Sequence, residues 1–352
     1  MSTYLIRRIL YVIPVLFIVA VVTFVIMHAT PGGPWDAEAS KRTSDPLFLE
    51  KLNQRYGLDK PLFLNTYAFA QAKTNGANPA ELAQALLDGQ FPNYLWNLLH
   101  GDMGPSLRMK GRDVNEVMFF SSTDRPFWTS RFGTTALIGL LALGIALLVG
   151  LPLGILAALR HNTIFDYGSL FFATIGYGIP NFVLGVFFII IFAVWLEWVP
   201  VITPAIWMED SNMPNLSAAF LPSLTLAIPT AAYLARLTRA SVLEVMGRDF
   251  IRTARSKGLS ERIVVIRHML RNALIPVATV IGPALAGLVT GSFIIENLFG
   301  INGIGRLFVE SISRRDYSMI MGTTLFYALL IALANVMVDV VYGFLDPRIR
   351  MK

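Results

Sequence analysis

Few residues in this 352-residue chain can do chemistry, and their spacing excludes most reactions. Cysteine is absent, so there is no disulfide framework, thiolate metal site or cysteine nucleophile. His28, His100, His161 and His268 stand far apart, and no pair has the HExxH spacing of a helical metal site. A phosphate-cradling Walker A loop needs Gly-Lys before Ser or Thr, and no lysine here follows a glycine. No His/Asp/Ser cluster forms a catalytic constellation. The sequence asks for no catalytic residue, metal or cofactor, and any ATP hydrolysis belongs to another chain.

What remains is chemistry of charge and leverage. The segment Arg248-Asp249-Phe250-Ile251-Arg252-Thr253-Ala254-Arg255-Ser256-Lys257-Gly258-Leu259-Ser260-Glu261-Arg262 is strongly basic. Its residues before Gly258 suit a short helix, and Gly258 can take the left-handed conformation that closes one. Ser260 can cap a second helix, with Glu261 favourable in its first turn. The pattern predicts a helix–turn–helix elbow, rigid enough to transmit a push. Juxtamembrane cations also bind anionic headgroups, which is the simpler role of such a cluster.

The elements that must carry this elbow are apolar. Hydrophobic residues make up 55% and charged residues 15%, against about a quarter charged in soluble domains; mean hydropathy is +0.58. Five runs, Ile9–Met27, Thr134–Leu159, Leu170–Leu196, Ala273–Ile295 and Met319–Leu345, each meet the length of about 20 residues that a spanning helix needs. A sixth, Ala218–Leu237, carries Pro222 and Pro229 but almost no charge. The expected fold is therefore all-α, with six transmembrane helices. Arg7 and Arg8 before the first run mark an uncleaved signal anchor.

Arg7, Arg8, Arg160, the series Arg236 to Arg271, and Arg348, Arg350 and Lys352 place both termini in the cytoplasm by the positive-inside bias. Segment Glu197–Ala219 has no Lys or Arg, as an outer loop should. Pro31–Arg131 then lies outside, long enough to form an extracytoplasmic subdomain between the first two spans. Within it Asn78-Pro79-Ala80-Glu81 predicts an N-cap, an N1 proline and a capping-box glutamate, and Gly89 can end that helix. The division is residues 1–30 (anchor helix), 31–131 (subdomain), 132–346 (five-helix core) and 347–352 (tail).

The elbow resembles the cytoplasmic EAA loop of bacterial ABC importer permeases. Arg252-Thr253-Ala254, three residues, then Gly258 match its spacing, with Arg and Thr where Glu and Ala are usual. The dipeptide/oligopeptide branch is more similar, typically having Arg-Thr-Ala-Arg-x-Lys-Gly-Leu here. Further motifs shared with that branch are Gly101-Asp102-Met103-Gly104-Pro105-Ser106, Gly150-Leu151-Pro152-Leu153-Gly154, Arg236-Leu237-Thr238-Arg239-Ala240-Ser241, Phe299-Gly300-Ile301-Asn302-Gly303-Ile304-Gly305-Arg306, Arg315-Asp316-Tyr317 and Leu345-Asp346-Pro347-Arg348. Residues 68–92 are extra to the usual pattern.

The resemblance implies the type I importer permease fold in the inner membrane. It implies a second, homologous permease subunit, two cytoplasmic ATP-binding subunits and an extracytoplasmic substrate-binding protein; lipid is the other partner, and nothing calls for nucleic acid. It assigns ATPase coupling to Asp249, Arg252, Thr253, Ala254, Arg255, Lys257, Gly258 and Leu259. Peptides are the expected cargo, with nickel, glutathione or sugar as alternatives.

Other residues have structural readings. Gly150/Gly154 and Gly287/Gly291 are small-xxx-small pairs suited to close helix packing. Pro152, Pro180, Pro229, Pro276 and Pro283 can bend helices. Asp339 is an intramembrane acid only about 10 Å of helix from Asp346, so pairing with Arg236 or Arg239 is expected rather than a proton relay. Glu197 and Glu296 fall at span ends, and Trp195, Trp198 and Trp207 fit an outer interfacial belt. An ion-driven carrier would need midplane acids, of which only Asp339 is a candidate.

Overall fold

The computed structural model describes residues 2–35, 46–120, 125–200, 206–208 and 213–345. The motif from Asp346 onward, the tail 347–352 and Arg348, Arg350 and Lys352 lie outside the described residues. Among the described residues the chain is helical, with no β-strand.

In chain order the helices are α1 (Ser2–Ala29), α2 (Pro46–Tyr56), α3 (Thr66–Thr74), α4 (Pro79–Leu87), α5 (Gln90–Leu99), α6 (Val114–Phe119), α7 (Arg131–Leu159), α8 (Ile164–Gly178) and α9 (Asn181–Trp195). They continue as α10 (Leu216–Met246), α11 (Asp249–Ser256), α12 (Glu261–Ala273), α13 (Ile275–Val289), α14 (Phe293–Leu298), α15 (Ile304–Arg314) and α16 (Tyr317–Leu345). Among the described residues four helices, α1, α7, α10 and α16, are long and apolar enough to cross a membrane; the count reaches six if the bent pairs α8–α9 and α12–α13 each form one span.

Proline chemistry decides which runs stay straight. The expected continuous span Leu170–Leu196 is broken at Pro180, and α8 and α9 meet at 106°. Proline disfavours helical backbone at the residue before it, and Ile179 is accordingly extended at φ −89°, ψ 128°. Pro276 sits at the start of α13, beside the 51° bend from α12. The run expected to reach Ile295 stops at Val289, and Gly291 turns the chain at φ +81°. In contrast, Pro222 and Pro229 lie inside an unbroken α10.

Two compact units result, one of residues 1–14, 124–307 and 327–352, the other of 15–123 and 308–326. In the larger unit α10 is the central helix, packed on α7 and α8. Small residues make that approach possible. A Cβ on Gly150 would lie 2.6 Å from the Ala231 carbonyl oxygen, and one on Gly154 would lie 2.5 Å from that of Ala235. The Gly150/Gly154 pair is thus a helix-packing surface. Of the Gly287/Gly291 pair, Gly287 has nothing within 4 Å in this chain, whereas a Cβ on Gly291 would lie 2.6 Å from Thr135 Cγ2 of α7 and 2.5 Å from Glu296 Oε1, so close approach holds at Gly291, which also makes the turn.

In the smaller unit, Asn78 and Glu81 form the expected capping box at the start of α4. Gly89 does not end that helix. Asp88 is its C-cap, and Gly89 is the N-cap of α5. A Cβ there would fall 1.9 Å from the Phe63 carbonyl oxygen, so close backbone approach requires glycine. Phe91 of α5 packs into one cluster with Ala20, Phe24 and Met27 of α1 and Met321 and Leu325 of α16.

Candidate functional site

The elbow forms as a surface device with a buried root. Arg248 is the N-cap of α11, and Ile251 and Ala254 point into a cluster with Ala158, Val242, Val264, Met269 and Ala273. Those two apolar residues, three apart, fasten one face of α11. Asp249, Arg252, Thr253, Arg255, Lys257, Gly258 and Leu259 are all exposed on the rest of the elbow. Of the residues expected to act together, Ala254 alone is buried, and it anchors the others.

Gly258 takes φ +75°, the left-handed turn its type permits, and nothing lies within 4 Å of a Cβ placed there. Ser260 occupies the N-cap position of α12 but makes no side-chain cap hydrogen bond. Glu261 closes the elbow instead, accepting from Arg255 Nη2 at 2.6 Å across the Gly258 turn. Both side chains are exposed, so this clasp is worth at most about 1 kcal/mol. A π-helical stretch, Val264–Leu270, then carries α12 toward its bend. Phe250, Leu259, Ile263 and Ile266 are exposed apolar residues beside the cations. Neither Lys257 nor Arg262 makes an ion pair among the described residues. A ridge of cations interleaved with large apolar side chains, on a rooted base, is suited to docking a protein.

Arg239, expected to meet Asp339, is held by Asp166. Its Nη2 donates to Asp166 Oδ2 at 2.9 Å, and its Nε donates to Oδ1 of the same carboxylate. The Asn162 amide donates to Oδ2 at 2.9 Å, and the Asp166 side chain is 1% exposed. The side chain of Asp339 lies outside the described residues. Arg236 stacks over Tyr177 at 5.4 Å. Asp166 carries a weak sequence signal, an acid in the first turn after Thr163, but its partner lies 73 positions away.

Two glycine-rich motifs wrap buried carboxylates. Glu296, expected at an interface, is 4% exposed. Its Oε1 accepts from Thr135 Oγ1 at 2.9 Å, and its Oε2 accepts from the Arg306 amide at 2.7 Å. The Gly305 amide also donates to it. Glu296 therefore caps the N-terminus of α15 from inside the protein. A Cβ on Gly303 would lie 2.6 Å from its carboxyl carbon, which is why the motif 299–306 needs glycine there. Burial pushes this carboxyl up to about 7, against the pull of the amides, the hydroxyl and Arg131.

Asp316 joins two more motifs. It accepts from Ser106 Oγ, from the Leu107 amide at 3.1 Å and from the Met319 amide at 3.3 Å. The motif 101–106 is thereby tied to the first turn of α16. Trp207, expected in the outer belt, donates through Nε1 to Thr134 at 2.9 Å, whereas Trp195 and Trp198 are exposed.

Residues 150–351 match the family described as "Binding-protein-dependent transport system inner membrane component", and residues 1–85 match its N-terminal part. The chain belongs to this family. It is 37% identical over 352 residues to the dipeptide transport system permease protein DppB of Bacillus subtilis, covering 100% of this chain and 99% of that one. It is 35% identical over 350 residues to the oligopeptide transport system permease protein OppB of Salmonella typhimurium, covering 99% of this chain and 100% of that one. The inward-facing MetNI methionine ABC transporter overlays 61% of this chain and 94% of its own at TM-score 0.48 and 19% identity. As an inner-membrane transport component, the chain is a multi-pass membrane protein and not a catalytic enzyme. The resemblance read from the motifs was to the right family.

Proposed function

We propose that this transport component is the permease subunit of an ATP-driven importer of di- and oligopeptides. The observation that carries the reading is the rooted elbow: α11 is fastened by Ile251 and Ala254, while its cations and Leu259 face outward. ATP-binding subunits on separate chains dock there and hydrolyse the nucleotide. Their closure moves α11 and, through the cluster it shares with α10 and α12, the spanning helices. A second, homologous permease completes the path, and an extracytoplasmic binding protein delivers the peptide. The bent pairs α8–α9 and α12–α13 each count as one span, giving six, with both termini in the cytoplasm. The peptide cargo rests on the names of the full-length relatives.

Against an ion-driven carrier stand the buried carboxylates. Asp166 is locked on Arg239, and Glu296 is occupied by helix amides and Thr135. Asp166 is thus tied up in its ion pair, and Glu296 is committed to capping the N-terminus of α15.

Gly258→Val tests the coupling role. A β-branched residue in the left-handed region costs about 1–2 kcal/mol, so the turn opens or shifts. Peptide-stimulated ATP hydrolysis by the reconstituted assembly is expected to collapse, while the amount of chain inserted in the membrane stays unchanged. Full stimulation in the variant contradicts the assignment.

A further inference from the structure

We propose that α5 is sunk in the bilayer beside α1, with the Trp96 and Leu99 side of the helix against lipid acyl chains, and is not a helix of the aqueous compartment. The subdomain between the first two spans thus has a membrane-embedded part. The leaflet is the one holding the C-terminal end of α1, the outer leaflet in the topology proposed above.

The argument starts from where α5 is seated. The Phe91 ring lies 5.1 Å from that of Phe24 and 6.2 Å from that of Phe17. Both partners belong to the apolar stretch Ile6–Ala29 of α1. At 1.5 Å per residue, Phe24 lies about 7 Å and Phe17 about 18 Å below the Ala29 end. That stretch of 24 residues is about 36 Å long at this rise, against a hydrocarbon core of ~30 Å, so only about 3 Å at each end projects beyond a core centred on it. A helix touching Phe17 and Phe24 therefore lies below the headgroups. α5 is 10 residues long, about 15 Å, or half the core.

The sequence of α5 suits that depth. No Asp, Glu, Lys or Arg occurs between Asp88 and Asp102. Trp96 is 65% and Leu99 81% exposed in the chain, a face that water would not favour. Tryptophan is also common near the membrane boundary. α1 beside it is itself lipid-facing, with Val22, Val25 and Ile26 exposed.

Backbone groups lowered into lipid must find partners within the protein. The first amides of α5 do so: Gln90 N–H donates to the Pro61 carbonyl at 2.9 Å and Phe91 N–H to that of Leu62 at 3.0 Å. The Gln90 side chain donates to the Leu58 and Lys60 carbonyls. At the other end the His100, Gly101 and Asp102 amides donate to carbonyls of Asn97 and Leu98, with Gly101 at φ +79°. An ordinary surface helix leaves its first amides to water or a side-chain cap; here Gly89 offers no side chain and the loop supplies the acceptors.

The natural absence of cysteine makes a direct test possible. Trp96→Cys, Leu99→Cys and, as an aqueous control on α4, Gln84→Cys are each spin-labelled in the full assembly in lipid nanodiscs. All three sites are exposed, so the chain's packing is left intact. Nitroxides at 96 and 99 are expected to be reached by oxygen but shielded from a water-soluble nickel chelate, with an accessibility ratio several-fold above that at 84. A chelate accessibility equal to that of the control overturns the proposal in favour of an aqueous face. Shielding from both reagents overturns it in favour of a protein partner.

Discussion

Asp166→Ala is expected to destabilise the assembly by about 1–3 kcal/mol, the cost of leaving charged donors without their acceptor. The carboxylate accepts both Nε and Nη2 of Arg239 and the Asn162 amide, and its side chain is 1% exposed. Without it, the guanidinium of Arg239, itself 19% exposed, stays partly covered with two donors unmet. The pair pins the start of α8 to α10, the central helix of the larger unit. A thermal-unfolding midpoint well below wild type, with part of the loss recovered in Asp166→Ala/Arg239→Met, is the expected pattern. Recovery is expected because removing both charges leaves no unpaired ion. A double variant as unstable as the single one would show that the pair matters for shape and not for charge.

Glu296→Ala removes the acceptor for three donors: the Thr135 hydroxyl and the Arg306 and Gly305 amides. At about 1–3 kcal/mol for each buried donor left unsatisfied, the fold around motif 299–306 is expected to loosen markedly. The same site gives a signed pH effect. Burial raises the carboxyl from 4.5 to about 7. Between those values the folded chain binds more protons than the unfolded chain, so stability falls as pH rises. The contribution is fully present below about pH 4.5 and is lost as pH passes 7. Unfolding midpoints compared at pH 5 and pH 8 should show the stability of wild type relative to Glu296→Gln shrinking toward the higher pH. An unchanged difference between the two proteins would mean that Glu296 keeps its charge throughout.

Legibility in the sequence followed the range of the interaction. The turn at Gly258 and the capping box at Asn78 were readable because each depends on residues within a few positions. The apolar runs of α1, α7, α10 and α16 were readable because lipid imposes a length and a composition. The break at Pro180 was not, since proline bends some membrane helices and sits quietly in others. Pro222 and Pro229 in α10 are the quiet case, where packing on α7 and α8 holds the helix together. Long-range pairs were invisible. Asp166 lies 73 positions from Arg239, and Thr135 lies 161 from Glu296. The same limit hid why motifs 101–106 and 315–317 recur in one chain: Asp316 draws both onto a single carboxylate. Glu261 also changed role, from first-turn acid to clasp, because the left-handed turn at Gly258 swings Arg255 within reach.

The central claim is that the ridge around Gly258 meets the ATP-binding subunit. Lys257→Cys, placed in this naturally cysteine-free and exposed position, offers the most direct test through cross-linking in native membranes. A covalent product with the nucleotide-binding subunit, its yield changing when ATP is trapped, is the result this account predicts. A cysteine at 257 that is labelled by an impermeant reagent from outside the cell, or that never joins the nucleotide-binding subunit in transport-active membranes, would contradict it.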